Sequence, residues 1–533
     1  MESCRTRTLI NAWLASIWHP QKQSCDRLTL HRIPGIDILS IHTQERYNYS
    51  FPAVPPFNPG DVSGLDFCDI AVTLTHPGGD DIVTVSVWLP LTDWNGRFQA
   101  TGGGGLAAGY IGPAQAAAVN QGYATASTDG GLTLNGTINP QTGAWALRPD
   151  GSLNTALLKN YAHRSIHDMT VIAKALTRSF YGVPPKYSYW NGCSTGGRQG
   201  YFAAALYPEH FDGILAGAPA INLPHLFSYL FWAPVLMMNS ITPPQCIFHA
   251  FQQAAIETCD PLDGAIDGLI SDYDPETCDF DPNSLIGETI ECPELDSNIT
   301  LTSDHANLVY QIIQGPHISD GRRLWYGLAP GASFRGTADT ITSNGSNTIN
   351  PFFPAIGWAK NFVFQDPEYD VFSMDFDDFD AAALLSIARY TDILGSDGHY
   401  LYDFQNAGGK LLSWHGLADD LIPSSGTISY WERIEEDLED LDEVDDFYRL
   451  FLAPGVGHCG GGSGPVPVDP LGALVRWVEE GVPPETLTAG VVNGDGETMT
   501  RELCRYPWVL VYDGVGDVND AGSFSCEVSG EVD

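Results

Sequence analysis

Between about residues 66 and 220, short apolar runs alternate with segments whose apolar positions recur every third or fourth residue, the pattern of a parallel α/β sheet. Residues 82–89 read as a strand, residues 97–101 as a second that enters the run Gly102 to Gly105, and residues 122–126 as a third. Residues 163–181 predict an amphipathic helix with Ile166, Met169, Ile172, Ala173, Leu176 and Phe180 on one face. A strand over 186–190, a helix over 196–206 and a strand over 213–216 follow. From 221 to 390 the texture turns irregular and rich in Pro, Asp and Asn, which reads as an inserted lid domain. The rhythm returns with strands over 410–414 and 447–452 and a helix over 471–480. The expected fold class is therefore α/β, with residues 1–220 and 391–533 forming the core and 221–390 inserted into it.

Composition narrows the partners. The chain has 533 residues, 43% of them hydrophobic, with 13 Trp, 22 Tyr and 24 Phe, so it can bury a large core. Lys and Arg number 25 against 66 Asp and Glu, a net charge of −41, which repels nucleic acid and anionic membranes. No segment approaches the 18 to 20 uninterrupted apolar residues of a membrane-spanning helix, so no membrane partner is expected. Ten carboxylates fall within residues 432–446, among them Glu435, Glu436, Asp437 and Asp440. With Ile434, Leu438 and Leu441 at helical spacing, they predict a solvated helix face.

The eleven cysteines include no CxxC pair, which favours disulfides over zinc. Sequons at Asn48, Asn135, Asn298 and Asn344 agree with secretion into an oxidising compartment. The amino terminus agrees less well. Arg5 and Arg7 precede an apolar run over 9–18 that Asn11 interrupts, with no small-x-small cleavage site after it, and Cys4 is the odd cysteine.

Gly192-Cys193-Ser194-Thr195-Gly196 satisfies G-x-S-x-G. With 56 glycines in the chain the pattern alone is weak, and its weight comes from the strand before it and the Ala-rich helix after it. A serine hydroxyl needs a base, and the base an acid to fix its tautomer. Downstream, Asp419 lies just past the 410–414 strand and His458 in the loop after the 447–452 strand, giving the order Ser194, Asp419, His458 of an α/β-hydrolase. Asp420 and His415 are the nearest rivals. For the oxyanion, one donor would be the Thr195 N–H and the other Gly103 or Gly104. Cys193 precedes the serine and Cys459 follows the histidine, so a bridge between them would tie nucleophile to base. In the insertion, Asp260, Asp263 and Asp267 fall in eight residues beside Gly264 and Gly268. Hard oxygen ligands at this spacing suit calcium, with the carbonyls of Ala265 and Leu269 completing the set, although the EF-hand pattern is missed.

With these residues in place the chain resembles the tannase and feruloyl esterase family from about Cys25 to Cys526. The most specific pieces are the run Asn191-Gly192-Cys193-Ser194-Thr195-Gly196-Gly197-Arg198-Gln199, then Phe211-Asp212-Gly213-Ile214 with Ala216-Gly217-Ala218-Pro219, His415-Gly416-Leu417-Ala418-Asp419, and Gly457-His458-Cys459. The resemblance implies an α/β-hydrolase core with a large lid, and a triad of Ser194, Asp419 and His458 flanked by bridged Cys193 and Cys459. It also implies calcium at Asp260, Asp263, Ala265, Asp267 and Leu269, and pairs Cys25–Cys68, Cys259–Cys278 and Cys504–Cys526. Cys246 with Cys292 follows by remainder. The implied substrates are hydroxycinnamoyl esters of plant cell-wall sugars, galloyl esters of tannins or related aromatic esters. A phenolic- or carbohydrate-binding protein without activity is the alternative of a different class, and acyl transfer to an alcohol would use the same residues.

Overall fold

The computed structural model describes residues 23–271, 277–396, 400–438, 440–492 and 496–528. The segment over 1–22, with its signal-like run and Cys4, lies outside them. Nine strands form the central sheet: β1 (Asp37–Phe51), β2 (Val62–Thr75), β3 (Val83–Pro90), β4 (Arg97–Thr101), β5 (Ala124–Thr128), β6 (Tyr187–Cys193), β7 (Gly213–Gly217), β8 (Lys410–Gly416) and β9 (Tyr448–Ala453). Their spatial order is β1-β2-β3-β5-β4-β6-β7-β8-β9. The first four neighbours pair antiparallel, and every pair from β5–β4 to β8–β9 is parallel. That order is the α/β-hydrolase topology. Parallel strands need both faces covered, and β5 and β7 are buried at every position.

Helices α1 (Ser165–Tyr181) and α2 (Thr195–Leu206) cover one face, where Ile166, Met169, Ile172, Ala173, Leu176 and Phe180 are all buried as the periodicity predicts. The other face carries the apolar stripe of a C-terminal helix over Pro470–Glu480, with Leu471, Leu474 and Trp477 packed on Leu412 and Phe451.

The long edge strand β1 was not expected. Its burial runs between exposed and half-buried, so it lacks the strict alternation that marks a core strand. The segment between β7 and β8 also departs from the irregular texture expected of it, since it is largely helical: α3 (Leu223–Met238), α4 (Gln245–Cys259), α5 (Ser303–Gln314) and α6 (Phe376–Leu394). Helix α3 is apolar on all sides and buried along nearly its whole length, so it has no periodic signature, and Pro224 sits in its first turn, where proline is tolerated. These helices share a core with Trp145, Leu157 and Tyr161 of the hydrolase layer.

The acidic stretch also differs from one continuous helix. Helix α7 (Ser424–Leu438) buries Ile434, and a separate short helix, Leu441–Asp445, starts at Asp440, whose carboxylate caps the Asp442 N–H at 3.0 Å. Past β9, a three-stranded sheet over 466–504 and a hairpin closed by Cys504–Cys526 complete the chain.

A buried ionic cluster fastens the antiparallel half of the sheet to α1. His76 Nδ1 lies 2.6 Å from Asp81 Oδ2 and its Nε2 2.9 Å from Asp168 Oδ2, while Asn160 and Arg164 donate to Asp81 at 2.9 and 3.2 Å. Burial alone would lower the His76 pKa, and Arg164 pulls the same way, but the hydrogen bonds to Asp168 and Asp81 raise it to about 9. A folded-state pKa above the unfolded 6.5 gives stability that is complete below pH 6.5 and lost as pH rises through about 9. Urea denaturation across that window should show a loss on the order of 3 kcal/mol, and His76→Gln should abolish the slope.

Candidate active site

Strand β6 ends in a sharp turn at Ser194, which holds φ 63° and ψ −124°, a strained conformation for a residue with a side chain, and α2 starts immediately after it. The turn is pinned on both sides. Ser194 donates its N–H to the Gly217 carbonyl at 3.0 Å, and its own carbonyl accepts from Arg198 and Ala220 at 3.0 Å. Glycine is required where backbones meet: a Cβ on Gly102 would lie 2.5 Å from Gly196 Cα, and one on Gly197 would lie 2.5 Å from the Gly217 carbonyl oxygen.

The loop over 102–105, following β4, packs against this turn. The Gly196 N–H donates to Gly103 O at 2.9 Å, and Thr195 Oγ1 donates to Gly105 O at 2.7 Å. The N–H of Thr195 is at the first position of α2. Gly103 donates its N–H to Gln199 Oε1 at 3.0 Å, so that group is already committed, and of the two candidates Gly104 is the one with no side-chain acceptor on its N–H among the described residues. Gln199, which the sequence marked only as the end of a motif run and gave no role, clamps this loop, since its Nε2 also donates to Ala108 O at 2.9 Å. Arg198 beside it is fully buried, lying over the rings of Tyr161 and Phe202 and donating to the carbonyls of Tyr161 and Ala162.

The structure brings Asp419 and His458 together, with His458 Nδ1 2.9 Å from Asp419 Oδ2. Asp419 is 1% exposed and fully satisfied: Oδ1 accepts the N–H groups of Leu421 and Ile422 at 2.9 and 2.8 Å, and Oδ2 also receives His415 Nε2 at 3.1 Å. His415, the rival histidine, is fully buried and held at Nδ1 by Thr427 Oγ1 at 2.8 Å, so it braces the carboxylate from behind. Among the described residues Asp420, the rival acid, makes no hydrogen bond or ion pair with either imidazole and acts on His458 through its charge. Burial would raise the Asp419 pKa, but the charge of His458 and the hydrogen bonds from His415 and His458 hold it well below the carboxylate range. Burial would lower His458, and the charge of Asp419 overrides it and raises the imidazole above its ordinary value.

Cys193 and Cys459 are disulfide-bonded, with Cα atoms 5.9 Å apart, which sets the serine turn directly beside the histidine loop across 266 residues of chain. The other four bridges are Cys25–Cys68, Cys246–Cys292, Cys259–Cys278 and Cys504–Cys526, as the resemblance and the remainder led us to expect.

In the 260–269 loop the carboxylates act as turn formers and also carry a charge deficit. Asp260 accepts from the N–H groups of Asp267 and Gly268, Asp263 from Ala265, and Asp267 from Leu269 and from Arg501 of the C-terminal sheet. Among the described residues Asp263 Oδ2 is buried without a hydrogen-bond partner, and burial pushes Asp267 up to about 6 although Arg501 pulls it down. An orphaned buried carboxylate oxygen among two further carboxylates fits a hard cation. Among the described residues, three ligand atoms come within 4.8 Å of one another only at Cys246, Cys292 and Glu294, where both sulfurs are in a disulfide. The three aspartates thus stand further apart, and a cation there would depend on the Ala265 and Leu269 carbonyls as well.

The profile described as "Tannase and feruloyl esterase" matches residues 68–527. The chain belongs to the tannase and feruloyl esterase family. It is 44% identical over 520 residues to a probable feruloyl esterase of Arthroderma benhamiae, covering 96% of this chain and 95% of that one. It is 34% identical over 487 residues to a probable feruloyl esterase B-2 of Aspergillus terreus, covering 87% and 86%. Among solved structures it resembles a tannin acyl hydrolase from Aspergillus niger, with TM-score 0.82 and 28% identity over 93% of this chain and 92% of that one. It also resembles feruloyl esterase B from Aspergillus oryzae, with TM-score 0.77 and 27% identity over 93% and 98%. Family membership makes the protein a carboxylic ester hydrolase and sets aside the reading as an inactive binding scaffold.

The Asp419–His458 contact can be tested on the imidazole itself. An NMR titration should place His458 above 6.5, and Asp419→Asn should lower it, because burial is then opposed only by the charge of Asp420.

Proposed function

We propose that the protein is a secreted serine esterase that hydrolyses hydroxycinnamoyl esters, feruloyl esters above all, of plant cell-wall material. The observation that carries the reading is the strained Ser194 turn, bridged through Cys193 and Cys459 to a histidine seated on a buried carboxylate. His458 takes the Ser194 proton as Oγ attacks the ester carbonyl, and Asp419 stabilises the imidazolium that forms. The oxyanion is held by the N–H groups of Thr195, at the start of α2, and of Gly104, in the loop after β4. His458 then gives its proton to the departing alcohol, leaving an acyl-enzyme on Ser194. Water, deprotonated by the same imidazole, attacks the acyl carbon, and Ser194 leaves as the free acid forms. The base works only when neutral, so the acid limb of the rate profile follows the raised His458 pKa.

The feruloyl side is favoured by the sequence relatives, both named feruloyl esterases at 44% and 34% identity. The higher TM-score to the tannin acyl hydrolase, 0.82, is what supports galloyl esters as the second reading. The residues between β7 and β8 act as a lid in this account, over the ends of the strands that carry the triad. Calcium is held in the 260–269 loop by Asp260, Asp263 and Asp267 and the carbonyls of Ala265 and Leu269, and supplies positive charge that these carboxylates lack. Secretion is supported by the five disulfides and by the exposure of all four sequon asparagines, Asn48, Asn135, Asn298 and Asn344, which suits glycosylation. No helix of the described residues is long and apolar enough to cross a membrane.

Initial rates on methyl ferulate and methyl gallate should show release from the ferulate ester in preference, and Ser194→Ala should lower kcat by about 10⁴-fold or more. Release that survives in the variant would refute the nucleophile, and a preference for gallate would move the substrate to the tannin side. Chelation should lower Tm while leaving the rate at low temperature within about twofold; an unchanged Tm would remove the cation from the account.

A further inference from the structure

Helices α3, α5 and α6 of the insertion, with the segment that follows α5, enclose a cavity of about 570 Å³. Its lining lies wholly within residues 232–380, so it contains none of the residues of the catalytic loops. Trp232 of α3 contributes a nearly buried ring, which packs on Phe379 at 5.1 Å between ring centres and is fixed at its edge by donating Nε1–H to Gln311 O at 3.0 Å. Helices α5 and α6 each bring an aromatic ring and a polar group one turn apart, Tyr310 with Gln314 and Phe376 with Asp380, both at i, i+4 spacing on one helix face. Tyr310 is 49% exposed and Phe376 41%, and the Phe376 ring centre lies 6.2 Å from that of Trp232. A lone aromatic ring in solvent is ordinary, but two exposed rings lining the same cavity as a third are left bare together.

The polar groups among these rings are rich in acceptors. Asp380 Oδ2 accepts the Ser319 N–H at 2.8 Å and the Ser319 hydroxyl, which fixes the carboxylate, and among the described residues Oδ1 has no donor. His317 Nδ1 lies 2.8 Å from Gly315 O, and since a carbonyl cannot donate, Nδ1 carries the proton and Nε2 of the neutral ring is an acceptor. Gln314 is exposed and adds a carboxamide that both accepts and donates. Aromatic faces bordered by acceptors suit a molecule with C–H faces and hydroxyl groups around its rim, which describes a sugar ring. An acidic sugar would meet the Asp380 carboxylate on a chain of net charge −41 and be repelled, so the chemistry selects a neutral one. The volume falls within the roughly 300–1,000 Å³ of small-molecule pockets.

We propose that this cavity is a second, non-catalytic carbohydrate site, which holds a stretch of neutral cell-wall polysaccharide such as arabinoxylan. The choice of polysaccharide rests on the esterase reading above, in which the ester is one substituent on a long chain. Holding that chain at a second point raises the effective concentration of its esters at Ser194 and adds nothing to the chemical step.

The test is affinity electrophoresis of the full chain in native gels cast with arabinoxylan stripped of its esters by alkali, or with polygalacturonate. Wild type is compared with Tyr310→Ala, Gln314→Ala and the double variant, and each is also assayed for Tm and for initial rate on methyl ferulate. Both side chains are exposed, so their removal carries little folding risk. Wild type should be retarded by arabinoxylan and not by polygalacturonate. Loss of the Tyr310 ring should weaken that retardation by about fivefold or more, with Tm and the methyl ferulate rate unchanged. Absence of retardation in wild type, retardation that persists in the double variant, or equal retardation by polygalacturonate would each overturn the inference. The esterase reading is judged separately, because the stripped polysaccharide carries no ester: a chain that is retarded but releases no ferulate overturns that reading and leaves the site standing.

Discussion

A carboxylate that is 1% exposed stays charged only if every lone pair finds a donor, and the active site is organised around meeting that demand at Asp419. Two donors come from its own turn, Leu421 and Ile422, and a third from His415 at the end of β8. These three are held in place: the turn follows a strand buried at every position after Lys410, and His415 is fixed in turn by Thr427 on α7. The one remaining donor is His458, so the position of the proposed base is dictated by a carboxylate that the fold has already immobilised. Removing His415 would leave the charge less well held and the base less well aimed, although His415 itself stands behind the reacting atoms.

The sheet supplies the rest by bringing loops to one edge. Strands β4, β6, β7, β8 and β9 run parallel, so the loops that follow them converge at their carboxyl ends, where open α/β sheets place their sites. Convergence alone leaves each loop free to wander. Here Gln199 holds the 102–105 loop to α2, backbone contacts between glycines hold that loop to the serine turn, and the Cys193–Cys459 bridge holds the turn to the histidine loop. The chain-entropy effect of closing so long a loop is on the order of 5 kcal/mol in the simple model, but its local effect on the histidine loop matters more for chemistry.

The site was legible in the sequence where its determinants are local. The turn around Ser194 needs small residues at fixed offsets between a strand and a helix, and Asp419 and His458 each follow a strand, so motif and order sufficed to nominate them, and the structure sets His458 against Asp419. What the sequence concealed is long-range. Gln199 and Arg501 act through hydrogen bonds to groups 96 and 234 positions away, far beyond any window in which periodicity can be read. The choice between Gly103 and Gly104 turned on one side-chain bond from Gln199. Strand β1 was hidden by its half-exposed edge position, and α3 by being apolar on every side; a helix without a polar face and a run of loop prolines look alike in one dimension. The insertion's acidic loop was visible as three aspartates, but its tie to the C-terminal sheet through Arg501 was not.

The central claim is that this constellation makes Ser194, alone among the serines, a nucleophile. The most direct measurement is labelling of the native protein with a fluorophosphonate, followed by intact mass and peptide mapping. The account predicts a single adduct, on Ser194, formed faster as pH rises through the His458 titration. Absence of an adduct, or an adduct on another residue, would contradict it.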